Sequence, residues 1–92
     1  MADQGTRNLK AIVSDIADGY VSVNQLYLKP FNEMSLKSFY SMVMKLQVGI
    51  RAEPFPYRDI ELIRKRSLKL QRLHTALIII KHTALERKYH FL

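Results

Sequence analysis

Proline divides this 92-residue chain into three stretches, each with the apolar spacing of an α-helix. Pro30 forces the residue before it out of helical geometry, and the segment Glu53-Pro54-Phe55-Pro56 cannot continue a helix. Between these breaks apolar residues recur in steps of three and four, which is the period of one helix face and not the two-residue alternation of a strand. The pattern predicts an all-α fold with helices over residues 6–28, 33–52 and 57–88.

The same spacing assigns a core face to each predicted helix. The three faces are Leu9, Ile12, Val13, Ile16, Tyr20, Val23 and Tyr27; then Leu36, Phe39, Val43, Leu46 and Ile50; then Ile63, Leu70, Leu73, Leu77, Ile80 and Ala84. We expect one small antiparallel three-helix bundle over residues 1–92 with a long basic C-terminal helix. A break of the chain near residues 81–83 would instead add a short fourth helix.

Local signals mark the helix ends. Thr6 is a candidate N-cap of the first helix, and Asn32 or Ser35 of the second. Pro56 is expected in the first turn of the third helix, where its missing N–H costs nothing. Gly19 lies inside the first predicted helix, which it weakens by about 1 kcal/mol relative to Ala, and it marks a bend or a tight helix contact.

Positive charge is concentrated in the last third of the chain. Residues 57–92 contain nine Lys or Arg and three Asp or Glu, so +6 of the net charge of +7 lies there. On a helical wheel Arg58, Lys65, Lys69 and Arg72 lie within about 60° of one another, whereas Arg64 projects elsewhere. Such a stripe can follow a phosphate backbone, so these five cations are the predicted nucleic-acid-binding residues. The alternative is a solvated face that keeps the helix soluble.

The C-terminal part of the third helix is apolar on two sides. Ile79 lies about half a turn from the core face, and a chain of this size has only a marginal core of its own. Arg66 falls close to the core face, where a charge requires a partner subunit or an internal carboxylate. We therefore expect a homo-oligomer or a subunit of a larger complex. The predicted interface residues are Arg66, Leu77, Ile78, Ile79, Leu85, Tyr89 and Phe91.

The aromatic residues have two possible roles. Helical spacing predicts core packing for Tyr20, Tyr27, Phe39 and Tyr40. Phe55 and Tyr57 flank Pro56 at the foot of the basic helix, where we expect them to pin the turn onto the first two helices. The alternative is that they stack on unpaired bases.

No pattern in the sequence indicates catalysis, a cofactor or a metal site. The absence of Cys excludes disulfides, thiol catalysis and Cys-based zinc sites. His74, His82 and His90 are eight residues apart, so on a helix they spiral away from one another and do not converge on one metal. No serine lies in a G-x-S-x-G elbow, and the three glycines are too dispersed for a phosphate-binding loop. We expect a protein that is not an enzyme.

These observations predict a non-catalytic, basic helical accessory subunit that binds the backbone of RNA or DNA within an oligomer or larger complex. In size, charge and helix pattern the chain resembles accessory subunits of nucleic-acid machines, such as the small helical subunits of CRISPR effectors or the helical accessory protein of diversity-generating retroelements. The alternative is a helical adaptor or scaffold subunit without nucleic-acid binding. A membrane-surface helix is disfavoured because the basic and apolar parts lie largely end to end.

The predicted location is soluble and intracellular, in the cytoplasm or the nuclear or nucleoid compartment. The first nine residues are polar and lack the apolar centre of a signal peptide. The longest uninterrupted apolar run covers residues 76–80, far below the roughly 20 residues that span a bilayer. No membrane span is expected.

Overall fold

The computed structural model describes residues 8–91, which form three α-helices and no strand. The helices are α1, Leu9–Ala17, α2, Glu33–Ala52, and α3, Ile60–Glu86. Every helix packs against the other two, so the described part of the chain is an all-α three-helix bundle, as predicted. With 27 residues α3 is the longest element. Its length of about 40 Å nearly equals the longest dimension of the molecule, which is 44 Å.

Helix α1 is much shorter than the predicted helix over residues 6–28. It ends at Ala17 in a Schellman motif, in which Tyr20 N–H donates to Asp15 O at 2.8 Å and Gly19 N–H donates to Ile16 O at 3.1 Å. Gly19 has a φ of 88°, a left-handed conformation that Gly adopts without steric cost. Gly19 therefore terminates the helix. The predicted cap Thr6 lies outside the described residues.

The connection from α1 to α2 is irregular, yet it contributes to the core. Leu28 is completely buried and Val23 is also buried. A single turn presents Leu28 inward, because Asn24 Oδ1 accepts from Tyr27 N–H at 2.7 Å and Asn24 O accepts from Leu28 N–H at 3.1 Å. The Tyr27 ring centroid lies 6.5 Å from that of Phe39. Core packing of Tyr20 was a wrong expectation, since its side chain is 81% exposed beyond the end of α1.

Helix α2 coincides with the interval 33–52 that the spacing indicates. Asn32 is its N-cap and Ser35 completes a capping box, so both candidate residues take part. Asn32 Oδ1 accepts from Ser35 N–H at 2.8 Å, and Ser35 Oγ accepts from Asn32 N–H at 2.9 Å. The helix stops before Pro54, with Glu53 in extended geometry. Its buried residues are Leu36, Phe39, Val43, Gln47 and Ile50.

Helix α3 starts three residues later than the predicted position 57. Asp59 is the N-cap, and its carboxylate accepts from Leu62 N–H at 3.1 Å. Pro56 and Arg58 consequently lie in the turn before the helix, and Pro56 is not in its first turn. The helix begins after Asp59 because this side chain satisfies Leu62 N–H, one of the orphan donors of the first turn.

The C-terminal end of α3 does not break near residues 81–83. It continues to Glu86 and ends in a second Schellman motif, in which Tyr89 N–H donates to Ala84 O at 2.9 Å. Lys88 takes the left-handed position that Gly19 takes at the end of α1, with a φ of 62°. The chain then turns back over the bundle without a fourth helix among the described residues. No helix in residues 8–91 is long and apolar enough to cross a membrane.

Candidate nucleic-acid interface

The predicted nucleic-acid-binding cations have different surroundings in the structure. Arg58, Arg64 and Lys65 are exposed, and none of them forms a hydrogen bond or ion pair with a described residue. We call these three residues the basic cluster. Glu61 precedes Lys65 by four positions, but the two side chains form no ion pair. Because no carboxylate of residues 8–91 pairs with the basic cluster, its charges face solvent in this part of the protein.

Lys69 continues the positive surface along α3 from the basic cluster. Its ammonium lies 3.9 Å from Asp18 Oδ1, and both side chains are about two-fifths exposed. An exposed pair at this distance contributes at most about 1 kcal/mol and exchanges readily with solvent. Lys69 therefore stays accessible to an anionic ligand.

Arg72 is bonded to the protein itself. Its Nη1 donates to Ala17 O at 3.0 Å, at the C-terminal end of α1 where the helix dipole is negative. The guanidinium also packs on Gly19, so closely that a Cβ there would lie 2.9 Å from Arg72 Cζ. A charge-assisted bond to a helix carbonyl gives Arg72 a structural function that its place on the helical wheel did not reveal.

Arg66 finds an aromatic ring and not an internal carboxylate among the described residues. Its Cζ lies 5.2 Å from the centroid of the Phe55 ring, within the range of a cation–π contact. Its Nε is buried without a hydrogen-bond partner in this part of the chain. Of the two alternatives for Arg66, the described residues supply no internal carboxylate, and the contact with a partner subunit stays a prediction.

A cleft of about 330 Å³ lies beside these cations, between the end of α1, the end of α2 and the start of α3. Lys65, Arg66 and Lys69 line it together with two carboxylates, Asp18 and Glu53. The carboxylates partly neutralise the interior of the cleft. The solvent side of the basic cluster is therefore a better candidate surface for an anionic ligand than the floor of the cleft.

Two aromatic rings lie next to the basic cluster. The centroids of Phe55 and Tyr57 are 4.9 Å apart at an interplanar angle of 59°, so the two rings form a tilted pair. Tyr57 is 82% exposed, and Phe55 is exposed as well. The expectation that both rings pin the turn onto the first two helices is wrong for Tyr57, because most of its side chain is exposed and among the described residues its ring contacts only that of Phe55.

The residues predicted for a partner interface separate into buried and exposed groups. Leu77 is only 8% exposed and packs in the core of the subunit, where the helical spacing also places it. Ile79 and Tyr89 are half-buried against the core, and the ring of Phe91 lies 6.0 Å from that of Tyr40. Ile78 and Leu85 are exposed, and Arg66 is half-buried. The tail after α3 thus covers apolar surface that a straight helix would leave open.

Arg87 has a structural role that the sequence pattern did not indicate. It donates from Nη1 to Phe31 O at 2.6 Å and from Nη2 to Leu28 O at 3.0 Å. Arg72 and Arg87 therefore hold the two ends of the connection between α1 and α2. A basic residue near a helix C-terminus commonly binds carbonyls, but the carbonyls here belong to residues more than fifty positions away.

The structure offers no site for metal chemistry in the described residues. No group of three or more His, Cys, Asp or Glu side chains there could hold an ion, and all three histidines are exposed. Comparison of the chain with models of protein families, with curated proteins and with solved structures finds no match.

Proposed function

We propose that this protein is a non-catalytic helical subunit that binds the phosphate backbone of RNA or DNA through the N-terminal end of α3. The observation that carries the proposal is the basic cluster: Arg58, Arg64 and Lys65 lie within eight residues of one another, are exposed and pair with no residue of the described range 8–91. Lys69 extends this surface along the helix. In this proposal α3 is the long basic C-terminal helix, with six Lys or Arg against two Glu.

The negative charges nearby do not cancel the basic cluster. The Asp59 carboxylate is bonded to the backbone at the start of α3, and Glu61 is not paired with Lys65. Exposed Lys and Arg side chains that neutralise phosphates release the counterions condensed on the nucleic acid, which favours binding. Contacts of this kind position a nucleic acid without reading base edges, so we expect binding that depends weakly on sequence.

A charge-neutralising double variant tests the proposal. Arg58→Gln/Lys65→Gln keeps two polar side chains and removes two exposed cations. The matched control is Lys37→Gln/Lys45→Gln, which removes the same charge from two exposed positions on α2. Fluorescence anisotropy with labelled RNA and DNA oligonucleotides at two salt concentrations should show weaker binding for the first variant only. Its salt slope should fall by about 1.4 on single strands, which corresponds to two lost phosphate contacts.

Two results would contradict phosphate binding at this surface. The first is a parent protein that binds neither RNA nor DNA at low salt. The second is an equal loss of affinity in both double variants, as expected for a general effect of net charge. In the first case the adaptor function becomes the better proposal.

Self-association completes the proposed function. Ile78 and Leu85 are exposed and seven residues apart, so they lie on one side of α3. Contact of this side with a second copy, or with another protein, would bury apolar surface that a small core leaves exposed. The same two side chains favour the adaptor alternative, in which the partner is a protein and the basic cluster only keeps the helix solvated.

A further inference from the structure

We infer that the nucleic acid bound by this surface is single-stranded and that one of its bases stacks on the ring of Tyr57. This inference rests on the proposed function and names its substrate class. The decisive observation is the juxtaposition of an almost fully exposed aromatic ring with the free cations of the basic cluster.

Most of the Tyr57 ring is exposed to solvent and is not used in packing the fold. Its side chain is 82% exposed, although an aromatic ring normally gains stability by burial. Its one ring contact is the tilted pair with Phe55, at 4.9 Å between centroids. Phe55 is itself held by the Arg66 guanidinium, 5.2 Å from its ring centroid. The ring of Tyr57 is therefore supported on one side and open to a ligand on the other.

The backbone around Tyr57 is restrained before any ligand arrives. Pro54 and Pro56 fix their own φ angles and restrict the residues before them. Tyr57 N–H donates to Phe55 O at 2.9 Å and Asp59 N–H donates to Pro56 O at 3.1 Å. A ring presented on a restrained turn loses little conformational entropy on binding, which favours a stacking contact.

Cations occur near Tyr57 both in the chain and in the fold. Arg58 follows Tyr57 directly in the same turn. Pro56, on the other side of Tyr57, lines the same cleft as Lys65 and Lys69. In the proposed complex, Arg58 and the two lysines would contact phosphates next to the stacked base. Unpaired bases offer a free face for such stacking, whereas the bases inside a duplex do not.

Three tyrosine variants test this inference. Tyr57→Ala removes the ring, Tyr57→Phe keeps it, and Tyr20→Ala is the matched control because Tyr20 is 81% exposed at a different site. Dissociation constants are measured on single-stranded RNA and DNA 12-mers and on a blunt-ended duplex with the same number of phosphates. Circular-dichroism melting of each variant verifies that it folds as the parent does.

We expect Tyr57→Ala to weaken binding to single strands by about 5- to 100-fold, the effect of losing one stacked base. Binding to the duplex should not change, and the salt slope should equal that of the parent because no charge is removed. Tyr57→Phe and Tyr20→Ala should bind as the parent does.

Each other outcome identifies what is wrong. If Tyr57→Ala binds single strands as tightly as the parent, or weakens single strand and duplex equally, stacking on Tyr57 is overturned. The phosphate surface then still stands, provided that Arg58→Gln/Lys65→Gln weakens binding. If the parent binds no polymer at low salt, the proposed function fails and the stacking inference fails with it.

Discussion

Two glycines show how differently single residues are constrained in this chain. Gly19 has a φ of 88° and faces the Arg72 guanidinium, so a side chain there meets both backbone strain and a steric contact. Gly49 lies inside α2, and a Cβ added there would meet nothing within 4 Å. The sequence alone does not distinguish the two, because both follow apolar residues at helical spacing.

We predict opposite effects on stability for the two Gly→Ala substitutions. Gly19→Ala should lower the free energy of unfolding by about 1–2 kcal/mol, the cost of the left-handed conformation for a residue with a Cβ. Gly49→Ala should raise it by about 0.5–1 kcal/mol through helix propensity. Urea denaturation followed by circular dichroism measures both. Equal effects of the two substitutions would show that Gly19 does not terminate α1 in this way.

The sequence also could not fix the surroundings of three neighbouring residues, Phe55, Tyr57 and Arg58. Their order beside Pro56 suggested two roles for the rings, and the exposed side chain of Tyr57 now favours base stacking. The capping bond from Leu62 N–H to Asp59 places Arg58 before the helix, so Arg58 does not share the regular stripe that the helical wheel predicted.

At the scale of elements, the connection between α1 and α2 is held by α3. Arg72 bonds to Ala17 O where the connection begins, and Arg87 bonds to Leu28 O and Phe31 O where it ends. Between these points Leu28 enters the core while Leu26, two residues earlier, stays largely in solvent. The connection is therefore part of the packed structure although it has no regular secondary structure.

A pair of Leu→Ala substitutions tests this description of the connection. Leu28→Ala should destabilise the protein by about 2–5 kcal/mol, because it leaves a cavity at a completely buried site. Leu26→Ala should change stability by less than about 0.5 kcal/mol, since that side chain is mostly exposed. Thermal unfolding of the two variants gives the comparison. Similar melting temperatures would mean that the connection does not pack against the core.

At the scale of the whole molecule, the amount of apolar surface left exposed bears on whether the protein self-associates. A domain of this size buries only about 60–65% of its unfolded surface, so exposed apolar side chains are costly to leave in water. The tail after α3 covers part of the core with Tyr89 and Phe91, but Ile78 and Leu85 remain exposed on α3. Among the residues that the sequence predicts for an interface, these two are the exposed apolar side chains available for contact with a second copy.

We predict that the protein has a mass above 10.8 kDa in solution at micromolar concentration. The substitutions Ile78→Lys and Leu85→Lys together should reduce the mass to that of a monomer, because burial of two ammonium groups in an apolar contact is unfavourable. Multi-angle light scattering measures the mass. A control with Leu26→Lys, an exposed site on the connection between α1 and α2, should leave the mass unchanged. A parent protein that is already monomeric would refute self-association.

The sequence by itself determined the helical class, the interval of α2, most of the core face of each helix and the concentration of positive charge near the start of α3. These properties are local, because a 3.6-residue period, a capping residue and a proline act within a few positions of one another. Only the tertiary structure decided that α1 stops at Ala17, that Arg72 and Arg87 bind the connection, and that Tyr57 remains open beside free cations. Hydrogen bonds that join residues 55 to 59 positions apart leave no periodic trace in the chain, and the exposure of a ring depends on every element that could have covered it.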